Sequence, residues 1–259
     1  MKCSLATLAA AAALASAPSA QARSPFRPAP PAATTSSSAR LAPIGVNHSQ
    51  QLSDERVLSR WAYVEEPVWA RNAPTRKAGH VKRLSYYTPD GTDELVLTLR
   101  RRRMQDGSEW VLVRLPMRPN NRTGWVPREA LGAFNTVTMK LRINRRSLRA
   151  TLFRSGHVIW QARVGVGKSG TPTPAGNFYV RERLVPANPR GLYGTFAFGT
   201  SAYSDVLTDW PGGGMVGVHG TNEPNLIPGR PSHGCVRVRN GPISKLSRLM
   251  PLGTPISIG

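Results

Sequence analysis

Between Val218 and Asn240 the chain reads VHGTNEPNLIPGRPSHGCVRVRN, a glycine- and proline-rich stretch that gathers two histidines and one cysteine. Cys235 is the group to consider first. A thiol attacks as thiolate, and an unperturbed cysteine holds only a few per cent of that form at neutral pH. An imidazole that takes the proton and then stabilises the anion removes this handicap. His219, at the end of the preceding strand, is the expected proton acceptor, and His233 is expected to shape the loop or contact substrate. Cys235 is accordingly expected to be a low-pKa nucleophile activated by His219. Gly234 beside it frees the backbone for unusual φ/ψ values and for close approach of a carbonyl. The N–H groups of Gly234 and Cys235 are expected to face a developing oxyanion, each contributing about 3 kcal/mol. Ser232 either fixes the turn, bonds substrate or is an ordinary loop serine. Arg237 shares the face of Cys235 if CVRVR is a regular strand; it either pairs with a substrate carboxylate or belongs to a generally basic surface. One cysteine and two histidines also suit zinc with an open position, but close ligand pairing is missing, and a Cys-His pair beside a glycine fits acyl transfer better.

These residues need elements to hold them. GMVGVHG reads as a strand ending at His219. ISKLSRLM places Ile243, Leu246, Leu249 and Met250 at helical spacing, with Asn240 as the expected cap, and TPISIG reads as a last strand. Upstream, TVTMKLRIN puts Val137, Met139, Leu141 and Ile143 on one face. RSLRATLFR and VIWQARVGVG follow, the latter with Val158, Trp160, Ala162, Val164 and Val166 on one face, so an antiparallel three-stranded meander is expected. KSGTPTPAGNFYVRERL is a Gly/Pro loop entering a strand over 178–183, followed by a long irregular stretch. These segments define a unit over 134–259, mainly β with one short helix. A first unit over 57–133 carries ELVLTLRRRR and SEWVLVRLP, paired as a hairpin across QDGS, and a short strand at Trp125 and Val126. Short strands, turns and isolated tryptophans indicate a small β-barrel.

Residues 1–22 read as a secretory signal peptide: Lys2, the apolar run SLATLAAAAALA, then Ala20 and Ala22 as small cleavage-site residues. The run is well short of the roughly 20 residues of a membrane span. Cys3 leaves with that peptide, so the mature chain keeps a lone thiol outside the cytoplasm, where cysteines are normally paired. Residues 23–56, rich in Pro, Ser, Thr and Ala, read as a flexible linker. The net charge of +21 favours polyanions. Export makes nucleic acid a poor partner and leaves anionic wall polymers.

HGT…RPSHGCVRVRN resembles the signature of the L,D-transpeptidase (YkuD-type) catalytic domain, and VGVGKSGTPTPAGNF resembles that family's upstream loop and strand. WVLVRLPMRPNNRTGWVP resembles bacterial SH3-like domains. The resemblance implies a YkuD-type β-sandwich after an SH3-like barrel. It implies Cys235 as the nucleophile that forms a thioester with a peptidoglycan tetrapeptide stem, His219 as the proton acceptor, and the Gly220 carbonyl as orienting that imidazole. Ser232, His233 and Gly234 match the loop that shapes the donor site and, with Cys235, its oxyanion hole; Arg237 matches a position often basic. NGPI stands where the family often has an acidic residue. Release of D-alanine and transfer to a stem-peptide amine are implied, with acylation by carbapenems, no metal and no diffusible cofactor. An L,D-carboxypeptidase of the same fold and a non-catalytic wall-binding protein are the alternatives.

Overall fold

The computed structural model describes residues 25–32, 37–38, 41–208 and 213–259. The segment read as a signal peptide lies outside the described residues. The architecture is mainly β, with one α-helix, Asn240–Leu249, among the described residues.

The chemistry-bearing segments sit in a ten-stranded sheet. Met139–Asn144, Arg149–Arg154 and His157–Gly167 form the expected antiparallel meander. Pro255–Ile258 pairs parallel with Met139–Asn144 and antiparallel with Gly176–Pro186, which closes the sheet on itself. His157–Gly167 pairs with Arg149–Arg154 over its first part and with Val236–Val238 near its end, and Gly176–Pro186 pairs first with Pro255–Ile258 and then with Ala197–Tyr203. Register shifts at Gly165/Gly167 and at Val180/Glu182 mark where these strands turn the corner.

Alternation along Met139–Asn144 matches its placement: Met139, Leu141 and Ile143 are buried while Arg142 and Asn144 face solvent. The second expected apolar face is corrected in part. Val158 is 53% exposed, because a register shift at Leu152/Phe153 turns the outer end of its strand away from the core. The stretch expected to be irregular contains the strand Ala197–Tyr203, which pairs with Gly176–Pro186 and Met215–His219. The helix has no side-chain cap from Asn240. Its N-cap is Arg239, and Asn240 Oδ1 instead accepts from Thr221 N–H at 3.0 Å, tying the helix start to the residues after His219.

A nine-stranded sheet holds most of the upstream residues, with Leu95–Arg103 and Glu109–Arg114 paired as the expected hairpin. Strand pairing crosses the expected boundaries. Asn135–Val137 pairs with Ser59–Tyr63 of the upstream sheet. Within the stretch expected to be a flexible linker, Phe26–Pro28 pairs with Gly176–Pro186 and Ser49–Gln51 with Leu95–Arg103. Backbone pairing and burial of Leu52 offset the ordering entropy that its composition alone does not.

The contact between the sheets is apolar and ionic together. Trp61, Leu95 and Leu97 pack in the same core as Leu141, Tyr179 and Ile256. Tyr179 Oη donates to the Leu95 carbonyl at 3.1 Å. Arg181 and Glu94, both buried, form a two-pronged ion pair, with Nε to Oε1 at 2.7 Å. Planar guanidinium and carboxylate satisfy each other in that arrangement, which makes burial of both charges tolerable.

Candidate active site

Met215–His219 and Val236–Val238 run parallel, with Val218 opposite Val236 and His219 opposite Arg237. Cys235, two residues before Arg237, is therefore the diagonal neighbour of His219 on one face. Gly217 N–H points at Cys235 Sγ, at 3.3 Å. A Cβ at Gly217 would sit 3.1 Å from the Phe198 carbonyl, so the strands are close here and the approach to sulfur is left clear.

His219 is buried, 3% exposed. Its Nδ1 lies 2.6 Å from the Gly220 carbonyl. A carbonyl only accepts, so Nδ1 carries the proton and Nε2 is the basic nitrogen. Gly220 itself is hemmed in: a Cβ there would come within 2.4 Å of Asn240 Oδ1 and 3.0 Å of Gly194 Cα. The Tyr193 ring meets the imidazole edge-on, 5.0 Å between centroids.

Burial holds the His219 pKa down at about 4; the Gly220 carbonyl opposes this and the positive charge of Arg237 adds to it. Burial likewise pushes the Cys235 thiol above its ordinary 9.0, with the Gly217 N–H and Arg237 pulling it back. The surroundings of Cys235 therefore favour the thiol over the expected low-pKa thiolate. Both groups rest neutral, because desolvation penalises thiolate and imidazolium alike. No hydrogen bond joins His219 to Cys235 among the described residues. The arrangement can pass a proton from sulfur to imidazole only as a carbonyl is attacked, so charge develops where it can be neutralised.

The rest of the loop is closely tied. Ser232 Oγ donates to the Cys235 carbonyl at 2.6 Å and accepts from Gly234 N–H at 3.1 Å. Gly234 N–H is thus engaged within the turn, where it was expected to face an oxyanion. Gly234 has φ +128°, a conformation that favours glycine. His233 is exposed, with Nε2 3.1 Å from Lys168 Nζ. Arg237 is buried and ion-paired with Glu223, so it is not part of the open basic surface.

Two clefts meet at the sulfur. One, about 190 Å³, is lined by Leu192, Ser204, Leu207, Ser232, His233 and Arg237. The other, about 90 Å³, is lined by Phe26, Asp90, Leu184 and Phe198. Tyr193, Met215, His219 and Cys235 line both. Tyr193 and Phe26 were not legible as site residues, since each comes from a segment without a catalytic pattern.

A family model for YkuD, the L,D-transpeptidase catalytic domain, matches residues 139–258. A Bacillus licheniformis protein named as the L,D-transpeptidase YkuD is 32% identical over 131 residues, covering 49% of this chain and 70% of that protein. The chain belongs to the YkuD L,D-transpeptidase family. The Bacillus subtilis protein of the same name is 29% identical over 123 residues, 48% of this chain and 67% of that one. A crystal structure of an Enterococcus faecium L,D-transpeptidase variant is 23% identical over 47% of this chain and 49% of its own, with a TM-score of 0.38. This family member thus spans about half the length of that solved structure.

Proposed function

We propose that this protein is a peptidoglycan L,D-transpeptidase that works through a thioester on Cys235. The single observation that carries the reading is the buried His219, its Nδ1 proton committed to Gly220 and its Nε2 left basic, diagonal to a thiol where two clefts meet.

A tetrapeptide stem lies in one cleft with its third-residue carbonyl over Cys235. As sulfur attacks the carbonyl carbon, its proton passes to Nε2 of His219, and the oxyanion accepts a hydrogen bond from Cys235 N–H. The tetrahedral adduct collapses by breaking the C–N bond to D-alanine, whose nitrogen takes the proton back from the imidazolium. An amine of a second stem, entering from the other cleft, then attacks the thioester while His219 accepts its proton. Sulfur leaves as thiol, and the new amide crosslinks two stems. Two routes to one sulfur favour transfer over hydrolysis, since an acceptor can bind while the acyl group is in place. Such an enzyme acts outside the cytoplasm, in the periplasm or wall. A signal peptide over residues 1–22 accounts for export, and no helix among the described residues is long and apolar enough to cross a membrane. The upstream sheet is read as SH3-like, and the +21 charge as suited to anionic wall polymers.

Incubation with a carbapenem followed by intact-mass measurement tests this. The expected result is a single adduct on the wild type and none on Cys235→Ser. No wild-type adduct, or an equal adduct on the serine variant, overturns it. With muropeptides, crosslinked dimers are expected; trimmed tripeptides alone would make the protein a carboxypeptidase.

A further inference from the structure

The loop GKSGTPTPAG has no part in the steps above, yet it packs directly beneath the nucleophile. Thr173 is 1% exposed. Its Oγ1 accepts from Gly167 N–H at 2.9 Å and donates to the Gly234 carbonyl at 2.7 Å. The direction of this relay is fixed, because an amide N–H only donates and a carbonyl only accepts. The Gly234 carbonyl belongs to the same peptide group as the Cys235 N–H. In a trans peptide the two point in opposite directions within one plane. Holding the carbonyl toward Thr173 therefore aims the Cys235 N–H away from it. The same loop holds the preceding turn, with Lys168 N–H donating to the Ser232 carbonyl at 2.9 Å. Gly167 permits the close packing: a Cβ there would lie 2.2 Å from the Thr171 carbonyl oxygen and 2.5 Å from Thr173 N. Ser232 Oγ ties Gly234 N–H and the Cys235 carbonyl, and Thr173 holds the peptide group between them through its carbonyl.

We propose that Thr173 is a positioning residue for acyl transfer: its hydroxyl holds the Gly234–Cys235 peptide so that the Cys235 N–H faces the oxyanion. The inference rests on Cys235 as the acyl-transfer nucleophile. Two reactions at the same sulfur separate this role from a merely structural one. Acylation by a carbapenem adds sulfur to a carbonyl and creates an oxyanion. Alkylation by iodoacetamide forms the S–C bond as iodide departs, the thiol proton going to solvent, and creates none. Thr173→Val keeps the branched shape and removes both hydrogen bonds; Thr173→Ser keeps the hydroxyl.

The valine variant is expected to acylate about 30-fold more slowly, below the 10²–10³-fold cost of deleting an oxyanion donor outright. Its alkylation rate and apparent carbapenem affinity should stay within about twofold, and serine should restore acylation to within about threefold. Wild-type acylation by the valine variant, or equal loss of acylation and alkylation, overturns the proposal. If valine prevents folding, Thr173→Ala carries the same comparison, with selective loss of acylation supporting the proposal and proportional loss refuting it. A wild type that is alkylated but never acylated instead defeats the assignment of Cys235, and this inference falls with it.

Discussion

Acidification should destabilise this fold through His219 in particular. In the unfolded chain the imidazole titrates near 6.5; folded, burial and Arg237 hold it at about 4. Between these values the unfolded state binds the extra proton, so stability is fully present above about 6.5 and falls as pH drops toward about 4. Each pKa unit is worth about 1.4 kcal/mol, so His219 alone removes roughly 3 kcal/mol across that window. The side chain is 3% exposed, so solvent screening does little to reduce this. Urea unfolding at pH 7, 5.5 and 4.5 on the wild type and on His219→Gln isolates the effect, since every other titrating group is common to both. The glutamine variant is expected to lose about 2.4 kcal/mol less than the wild type between pH 7 and pH 4.5. Identical pH dependence in the two proteins would refute the claim that the imidazole is buried neutral.

Three further outcomes follow from the same geometry. Because burial raises the Cys235 thiol, iodoacetamide alkylation should rise with a midpoint above pH 9; a midpoint at or below neutrality would mean a resting thiolate–imidazolium pair. Glu94→Gln leaves Arg181 charged and buried without its partner, and urea unfolding should show a loss of about 3–5 kcal/mol; a loss below about 1 kcal/mol would contradict the buried pairing. Arg118 donates from Nε to the Ser204 carbonyl at 2.6 Å and from one terminal nitrogen to the Leu207 and Gly213 carbonyls at 2.8 Å each, thereby holding residues that line the larger cleft. Arg118→Met should raise the donor KM about tenfold, worth about 1.4 kcal/mol, with kcat little changed; an unchanged KM would remove the role given to Arg118 in shaping that cleft.

Much of the site was legible because its chemistry is local. Cys235, Gly234 and Ser232 lie within four residues, and GMVGVHG announces a strand that ends at His219. What escaped depends on distant segments. Ala197–Tyr203 shows no alternation because six of its seven residues are buried, so small Gly, Thr and Ser side chains replace the usual apolar pattern. Phe26–Pro28 lies in a stretch whose prolines read as linker, yet it gains partners from Gly176–Pro186, 150 residues or more away. Asn240 fits a cap by position, and only tertiary contact with Thr221 redirects its side chain. The surroundings of the thiol escaped for the same reason: a nearby histidine is visible in the sequence, whereas desolvation by several strands is not.

Acyl transfer through sulfur is the claim on which the rest depends, and a donor tetrapeptide stem tests it most directly. The protein is mixed with the stem, quenched in acid within the first turnover, and its mass and the released D-alanine are measured together. The account predicts one tripeptide acyl group on Cys235 for each D-alanine freed, and neither on Cys235→Ala. D-alanine release by the alanine variant at the wild-type rate, or an acyl group mapped to any other residue, would contradict it.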